Sequence, residues 1–274
     1  MSIQKILVPT DFSNISKTAL GVAARIAEKA NAELHLIHAV HVPVIDPYTP
    51  AETINTIKEE EERSARQELS KLVLSYASIT PKIHVKMGFA VDEIVLFTEE
   101  NSIDLIVMGT TGSSGLEEAL IGSNASGVVD KAKVPVLCIP DELKSFETGD
   151  IVYASDLEKN DMEVIQKMLE LARVFGSNFH ILHVRANDLP TEGPEPEDVF
   201  RSIVSSVNYP SLSFHDVKND DVREAIEEFT KKTPCDILAM AIHQRGFFGK
   251  LFHSSLTKKM VNHAHMPVLT YYKK

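Results

Sequence analysis

The sequence predicts an α/β protein made of two tandem domains, each a parallel β-sheet covered by helices. Short apolar runs alternate with stretches of helical periodicity, and this alternation implies parallel strands joined by helical crossovers. Four segments also recur in the same order in the second half of the chain. The length of 274 residues suits two domains of ordinary size.

The duplication is read from segment pairs at two offsets. Two pairs are separated by 145 residues and two later pairs by 132, so the second copy is thirteen residues shorter after its second strand. We place the first domain at 1–142 and the second at 149–274, with the charged segment between them as a linker. The matching segments are Ile6–Asp11 with Ile151–Asp156, Leu34–Ala39 with Phe179–Val184, Asp104–Met108 with Asp236–Met240, and Val134–Leu137 with Met266–Leu269.

Each element of the first copy follows from its apolar pattern. Short runs rich in aliphatic and β-branched residues predict strands near 3–8, 33–40, 82–87, 104–109 and 135–139. The segments between them predict helices near 14–30, 50–77, 90–101 and 122–132. The first helix places Leu20, Ala23 and Ala27 on one stripe, and Ser13 or Asn14 is its N-cap. The second copy repeats this order, with a weaker helix near 195–207.

Composition excludes several classes of protein. The net charge is −11, which argues against nucleic acid as the main partner because phosphate contacts need clustered Lys and Arg. No apolar run reaches the roughly 18–20 residues that cross a bilayer, and the chain begins in a strand without a leader. The two cysteines, Cys138 and Cys235, cannot form a disulfide framework. We therefore expect a reducing cytoplasm.

A ligand site is expected where two strands of the sheet end. In open parallel sheets, ligands bind beyond the carboxyl ends of the strands, at the point where the strand order reverses. The turn after the first strand is Pro9-Thr10-Asp11, and the turn after the fourth strand begins Gly109-Thr-Thr111-Gly112. Both turns are rich in small and polar residues.

The spacing of glycines after Met108 predicts an anion site. Gly109, two residues, Gly112, nine residues and Gly122-Ser123 follow one another, with Asn124 next. Glycine allows a positive φ and a close approach of backbone N–H groups to an anion, and a helix that begins after Gly122 offers unpaired N–H groups and the positive end of its dipole. The pattern differs from a Walker loop and from Gly-x-Gly-x-x-Gly.

This spacing resembles the universal stress protein family, and so do the opening Val8-Pro-Thr-Asp11-Phe-Ser13, the ending Leu36-Ile-His38 and the closing Val134-Pro-Val-Leu137. The resemblance covers essentially the whole chain, as two family domains in tandem, and only the first copy carries the full motif. It implies a five-stranded parallel, Rossmann-like sheet in each domain, of the adenine-nucleotide α-hydrolase type. It also implies an intramolecular pseudo-dimer through strands near 135–139 and 267–272.

The resemblance further implies an adenine nucleotide, ATP or AMP, across the first and fourth strands. Asp11 would contact the ribose or base, and the backbone of Ala39 would contact adenine, while Pro9 and Met108 line the pocket. The phosphates would lie on Gly109, Gly112, Gly122, Ser123 and Asn124. Thr10 and Thr111, in the same two turns, complete the expected contact set.

The chain departs from the family pattern in both copies. No Lys or Arg lies between Gly109 and Asn124, so neutral donors and a Mg²⁺ ion would hold a triphosphate, and we expect weaker binding than with a lysine. In the second copy, Ala241, Gln244 and Ser254 replace the three glycines. Ala241 and Gln244 would carry a Cβ where a positive φ is required, so we expect that copy to have lost its phosphate site.

The histidines and the basic residues of the second copy allow further readings. His35 and His38 are three residues apart on a strand and project to opposite faces, which is poor geometry for a metal site. We expect His38 and His183 to make structural hydrogen bonds near their strand ends. After Asp236 the chain has basic but no acidic residues, from Arg245 to Lys274, and this region is a solvated surface or a site for an anionic partner.

Three functions remain in competition. A stress-response protein would sense or signal through an adenine nucleotide bound in the first domain, with no catalytic residues and at most slow ATP hydrolysis. A nucleotide-free adapter would present the rigid pseudo-dimer to an unidentified protein partner. The third is an enzyme of the wider adenine-nucleotide α/β class, such as an ATP pyrophosphatase or an electron-transfer flavoprotein subunit. The pyrophosphatase would need a Ser-Gly-Gly-x-Asp-Ser turn after the first strand, where the chain has Pro9-Thr-Asp11-Phe-Ser13, and we do not favour this class.

Overall fold

The protein is described from a computed structural model. The structure describes residues 3–41, 48–74, 79–110, 123–141, 143–157, 161–185, 195–243 and 265–273. By its internal contacts the chain forms two compact units, residues 3–134 and 135–274. Within the described ranges, none of the helices combines the length and the apolarity needed to cross a bilayer.

The first unit has a parallel sheet with the strand order β3-β2-β1-β4. Its strands are β1 (Lys5–Pro9), β2 (Glu33–Val40), β3 (Lys82–Met87) and β4 (Leu105–Gly109). Its helices are α1 (Asn14–Ala30), α2 (Ala51–Val73), α3 (Ala90–Glu100) and α4 (Ser123–Lys131). Ile6, Leu7 and Val8 of β1 are fully buried, as expected of a central parallel strand covered on both faces.

The strand order of the first unit reverses between β1 and β4. The chain runs from β1 outward to β2 and β3, and then crosses to β4 on the other side of β1, with Ile6 opposite Leu105. The carboxyl ends of β1 and β4 therefore meet at the switch point, where ligands bind in such sheets. Helix α1 packs on both strands. Ser13 is its N-cap, as predicted, and accepts the Ser16 N–H at 3.3 Å.

The second unit repeats the order, with β6-β7-β8 on one side of the switch and β9 on the other. Its strands are β5 (Val136–Ile139), β6 (Asp150–Ser155), β7 (Asn178–Arg185), β8 (Leu212–Lys218), β9 (Ile237–His243) and β10 (Val268–Lys273). Its helices are α5 (Asp161–Phe175), α6 (Pro196–Ser206) and α7 (Val222–Lys232). The predicted α/β class is confirmed, and its strands are mostly parallel.

Strand β5 closes the first sequence copy, yet its contacts group it with the second unit. It pairs antiparallel with β10, with Cys138 opposite Val268 and Val136 opposite Thr270. The Thr270 hydroxyl also donates to the Val136 carbonyl at 3.2 Å. The boundary at 142–149, drawn from the sequence repeat, stays a prediction and differs from the contact boundary by this strand. The pseudo-dimer also stays a prediction.

Candidate functional site

The turn after β1 is held by hydrogen bonds between residues that are at most six positions apart in the sequence. Thr10 is 6% exposed, and its hydroxyl oxygen lies 3.0 Å from the hydroxyl oxygen of Ser16. Because Ser16 donates to the Ser13 carbonyl at 2.9 Å, its oxygen is the acceptor for Thr10. The Thr10 oxygen in turn accepts the Phe12 N–H at 3.1 Å. The Thr10 hydroxyl therefore shapes the turn from inside.

Asp11 lies in the same turn and is half-buried. Its Oδ1 atom accepts the N–H of Ser13 at 3.1 Å and the hydroxyl of Ser13 at 2.6 Å. These bonds fix the carboxylate at the carboxyl end of β1, directly before α1. Its predicted contact with a ribose or base stays a prediction, and the local bonds show that Asp11 also has a structural role as a turn residue.

Phe12 has a φ of 66°, a left-handed conformation that a bulky residue adopts only under constraint. Its ring lies 4.5 Å from the ring of His38, centroid to centroid. The Nδ1 atom of His38 donates to the Thr10 carbonyl at 2.7 Å, so the expected structural hydrogen bond of His38 is confirmed. The half-buried Ala39 follows His38, one residue before the end of β2.

Gly109 is the last residue of β4, and the packing of α1 against the strand explains why it is a glycine. A Cβ at this position would lie 2.7 Å from Cγ1 of Ile15, a distance that side chains do not tolerate. Within the described residues, Gly176 alone among the glycines has a positive φ, so Gly109 does not serve backbone conformation. It allows α1 to pack closely on the end of β4. Met108 and Thr110, the residues on either side of Gly109, are buried.

The first turn of α4 is open to solvent. The helix begins at Ser123, and both Ser123 and Asn124 are exposed, while Ala125 and Val128 bury the opposite side. The N–H groups of a first helical turn have no intrahelical partner and carry a partial positive charge. This helix end is therefore suited to an anion. Thr111, Gly112 and Gly122, predicted for the same site, lie outside the described residues.

The second copy keeps the turn and changes its interior. Leu157, at a φ of 54°, donates its N–H to the Ser155 hydroxyl at 3.0 Å, and His183 donates to the Ser155 carbonyl at 3.1 Å. Asp161 stands where the first copy has Ser16, and it is 2% exposed. It accepts the hydroxyls of Ser155 and Tyr153, the latter at 3.3 Å. Burial first, and then the nearby Asp161, raise the pKa of Tyr153 well above its usual value.

The predicted backbone cost at Ala241 is wrong. Ala241 is a buried residue of β9 and does not have a positive φ. A Cβ is accommodated there because the position lies in a regular strand. Gln244 and Ser254, the other two replacements, lie outside the described residues, as do the basic residues from Arg245 to Lys259.

A histidine pair that the sequence analysis missed lies away from this site in each unit. His35 and His84 stack at 5.2 Å between ring centroids, and Phe97 lies 4.5 Å from His84. In the second unit, the Ser213 hydroxyl lies between His180 Nδ1, at 2.7 Å, and His215 Nε2, at 3.1 Å. The sequence does contain a signal, because His84 and Phe97 of the first copy correspond to His215 and Phe229 of the second. Pairing these histidines with His35 and His180 requires the registers of β3 and β8, which the sequence does not contain.

A groove of about 510 Å³ runs along α2. It is lined by charged and polar residues of that helix alone, among them Glu59, Arg63 and Arg66. A single exposed helix face cannot enclose a small molecule. We therefore place the candidate site at the ends of β1 and β4.

Comparison with known proteins identifies the family. The sequence profile of the universal stress protein family matches residues 2–140 and 212–271, well over half of the chain. A universal stress protein of Methanocaldococcus jannaschii is 38% identical over 144 residues, which are 50% of this chain and 81% of that protein. A universal stress protein of Mycolicibacterium smegmatis is 22% identical over 282 residues, or 96% of this chain and 95% of that protein.

Solved structures agree on the fold. The crystal structure of a universal stress protein from Archaeoglobus fulgidus has a TM-score of 0.73 and 18% identity to this chain, with 100% of each chain covered. At that identity, the likeness concerns the fold alone. Together with the matched profile and the duplicated α/β architecture, it leads to one conclusion: the chain belongs to the universal stress protein family.

Proposed function

We propose that the first unit binds an adenine nucleotide, ATP or AMP, at the carboxyl ends of β1 and β4, and that its occupancy regulates a response to stress. The observation that carries this proposal is the convergence at one switch point of the Asp11 turn and the close-packed Gly109. The exposed first turn of α4, at Ser123 and Asn124, supplies anion-binding N–H groups in the same unit.

In this proposal each part of the nucleotide has its own contacts. Asp11 holds the ribose or base, the Ala39 backbone contacts adenine, and Pro9 and Met108 supply apolar walls. The phosphates lie on Gly109 and on the first turn of α4, with Thr10 keeping the β1 turn in shape. From the sequence spacing alone, Thr111, Gly112 and Gly122 complete the phosphate loop.

We propose that the second unit does not bind the nucleotide. Its turn interior holds the carboxylate of Asp161 in place of the Ser16 hydroxyl, and the fully buried Tyr153 stands in place of Val8. A buried negative charge beside the end of β6 disfavours a phosphate there. The loss of two motif glycines, at Gln244 and Ser254, points the same way.

The chemistry of the site favours sensing over turnover. Enzymes that transfer phosphoryl groups stabilise the developing charge with Lys, Arg and Mg²⁺, and the segment from Gly109 to Asn124 has no basic residue. We therefore propose slow ATP hydrolysis at most. We also propose a cytoplasmic protein, because Cys138 and Cys235 are free thiols, which suits a reducing compartment.

The test is nucleotide binding by the full chain and by Ser123→Glu. Glutamate is favourable in the first turn of a helix, so this variant keeps its fold while placing a negative charge against the phosphates. The matched control is Ser255→Glu, at the position that the repeat aligns with Ser123. We expect the parent and the control to bind ATP or AMP by calorimetry, and Ser123→Glu to bind at least tenfold more weakly.

A parent chain that binds neither nucleotide at millimolar concentration, while folded, contradicts the proposal and favours the nucleotide-free adapter. Equal affinity of Ser123→Glu and the parent contradicts the placement of the phosphates. Mass spectrometry of the purified protein in native form gives an independent readout, because a tightly bound nucleotide would be carried through purification.

A further inference from the structure

An exposed aromatic pair lies at the carboxyl edge of the sheet in the first unit. Phe89 follows β3 and is 70% exposed. Its ring centroid lies 5.7 Å from that of His41, which follows β2. The Gly88 N–H donates to the Val40 carbonyl at 3.0 Å, and this bond holds the two strand ends side by side. The pair therefore has a fixed place at the ends of β2 and β3, and its His41 lies two residues beyond Ala39.

Phe89 occupies a position where a polar residue would stabilise the fold. It is the N-cap of α3, and its side chain makes no capping hydrogen bond. The corresponding cap in the second unit is Asp221, which accepts the N–H groups of Arg223 and Glu224 at 2.9 and 3.1 Å. Ser, Thr, Asp and Asn are preferred at this position for that reason. A residue that forgoes the cap and exposes a large apolar ring breaks a local rule, as residues at functional sites do.

Of the two aligned N-caps, Phe89 in the first unit is the aromatic one, and the first unit also has the exposed first turn of α4 and the close-packed Gly109. Phe89 is replaced by Asp221 in the repeat. Neighbouring strands are about 4.8 Å apart, so a base that contacts Ala39 on β2 comes within reach of a ring at the end of β3. An aromatic ring offers a planar apolar face, and bases stack on such faces whatever their hydrogen-bonding pattern.

We propose that Phe89, supported by His41, is a stacking surface for the base of the bound nucleotide. This inference rests on the function proposed above and adds the residue that would hold the outer side of the base. Its ligand is a planar heterocycle joined to a phosphate chain, and the phosphate chain alone makes no use of Phe89.

The experiment uses two probes on the full chain. ATP carries the base, and inorganic tripolyphosphate carries the charge without a base. Phe89→Asn removes the ring and introduces a favoured N-cap without adding a charge, so the variant keeps its fold, which thermal unfolding verifies. Phe89→Trp keeps the stacking, and Leu96→Gln changes another exposed apolar residue of α3, 48% exposed, about two helical turns away.

We expect Phe89→Asn to bind ATP about tenfold more weakly than the parent, with its affinity for tripolyphosphate unchanged. Phe89→Trp and Leu96→Gln should bind ATP within about twofold of the parent. ATP binding by Phe89→Asn at parent affinity overturns the stacking surface and leaves the nucleotide site intact. An equal loss for both probes also overturns it, because a base contact cannot weaken the binding of a ligand without a base. A parent that binds no nucleotide removes both proposals.

Discussion

The Nδ1 atom of His35 lies 3.2 Å from the Nε2 atom of His84, and their rings are stacked. One imidazole donates and the other accepts, so the contact requires at least one neutral ring. Burial is the largest cause that lowers the pKa of each, and the pKa of His84 falls to about 4. The neighbouring His35, Lys86 and Lys82 lower the pKa of His84 further.

This pair predicts a loss of stability in mild acid. In the unfolded chain both histidines titrate near 6.5, so between about pH 6.5 and about pH 4 the unfolded state binds more protons than the folded state. The free energy of unfolding therefore falls as the pH falls through this window. The expected contribution of His84 is about 2 kcal/mol, after allowance for its partial exposure. Urea unfolding at a series of pH values measures it.

The variant His84→Phe isolates this contribution. Phenylalanine keeps a ring against Phe97, and it cannot be protonated. The variant should lose less free energy of unfolding than the parent between pH 6.5 and 4, because one proton-linked group is gone. The same slope in both proteins would show that His84 titrates as it does in the unfolded chain.

The contact between Gly109 and Ile15 predicts a cost for the smallest side chain. In Gly109→Ala the new Cβ would meet Ile15 Cγ1 at 2.7 Å, so we expect a loss of about 1–3 kcal/mol of unfolding free energy. The loss should shrink below about 0.5 kcal/mol in an Ile15→Ala background, because the clash is then relieved. Ala241→Gly is the matched control at the aligned position. Equal losses from Gly109→Ala in both backgrounds would contradict packing as the reason for this glycine.

The regular elements follow from the sequence more closely than the contacts between them. The prediction of 14–30 for the first helix agrees with Asn14–Ala30, because an apolar stripe and the Ser13 cap mark both its face and its start. The weaker helix predicted near 195–207 is Pro196–Ser206. Period and capping are local signals, and one sequence is enough to read them.

Contacts that depend on strand register could not be read in this way. His35 is opposite Lys82, so His84 is its diagonal neighbour across the strand pair, and neither strand's own pattern contains that relationship. The packing role of Gly109 could not be read either, because the atom that its Cβ would meet belongs to Ile15, on a helix that is distant in sequence. The placement of Thr111, Gly112 and Gly122 still rests on the sequence.

The buried Asp161 predicts a large loss on truncation. Tyr153 and Ser155 are fully buried and donate their hydroxyls to this carboxylate, so Asp161→Ala leaves two donors without that acceptor. We expect a loss of about 2–4 kcal/mol in the free energy of unfolding. Ser16→Ala, the corresponding change in the first unit, removes a neutral partner of Thr10 and should cost about 1 kcal/mol. Urea denaturation of both variants compares them, and equal losses would contradict a special role for the carboxylate.

The absence of Lys and Arg between Gly109 and Asn124 predicts a dependence on Mg²⁺ that differs between nucleotides. In the proposed site, only neutral donors from this segment face the phosphates, and the charge of a triphosphate exceeds that of a monophosphate. A divalent cation that bridges phosphate oxygens neutralises this charge. We expect chelation of Mg²⁺ by EDTA to weaken ATP binding about tenfold or more and AMP binding by less than about twofold. Equal effects on the two nucleotides would show that the metal acts elsewhere than on the phosphates. ATP binding that is unchanged by EDTA would mean that a basic side chain from outside this segment neutralises the triphosphate.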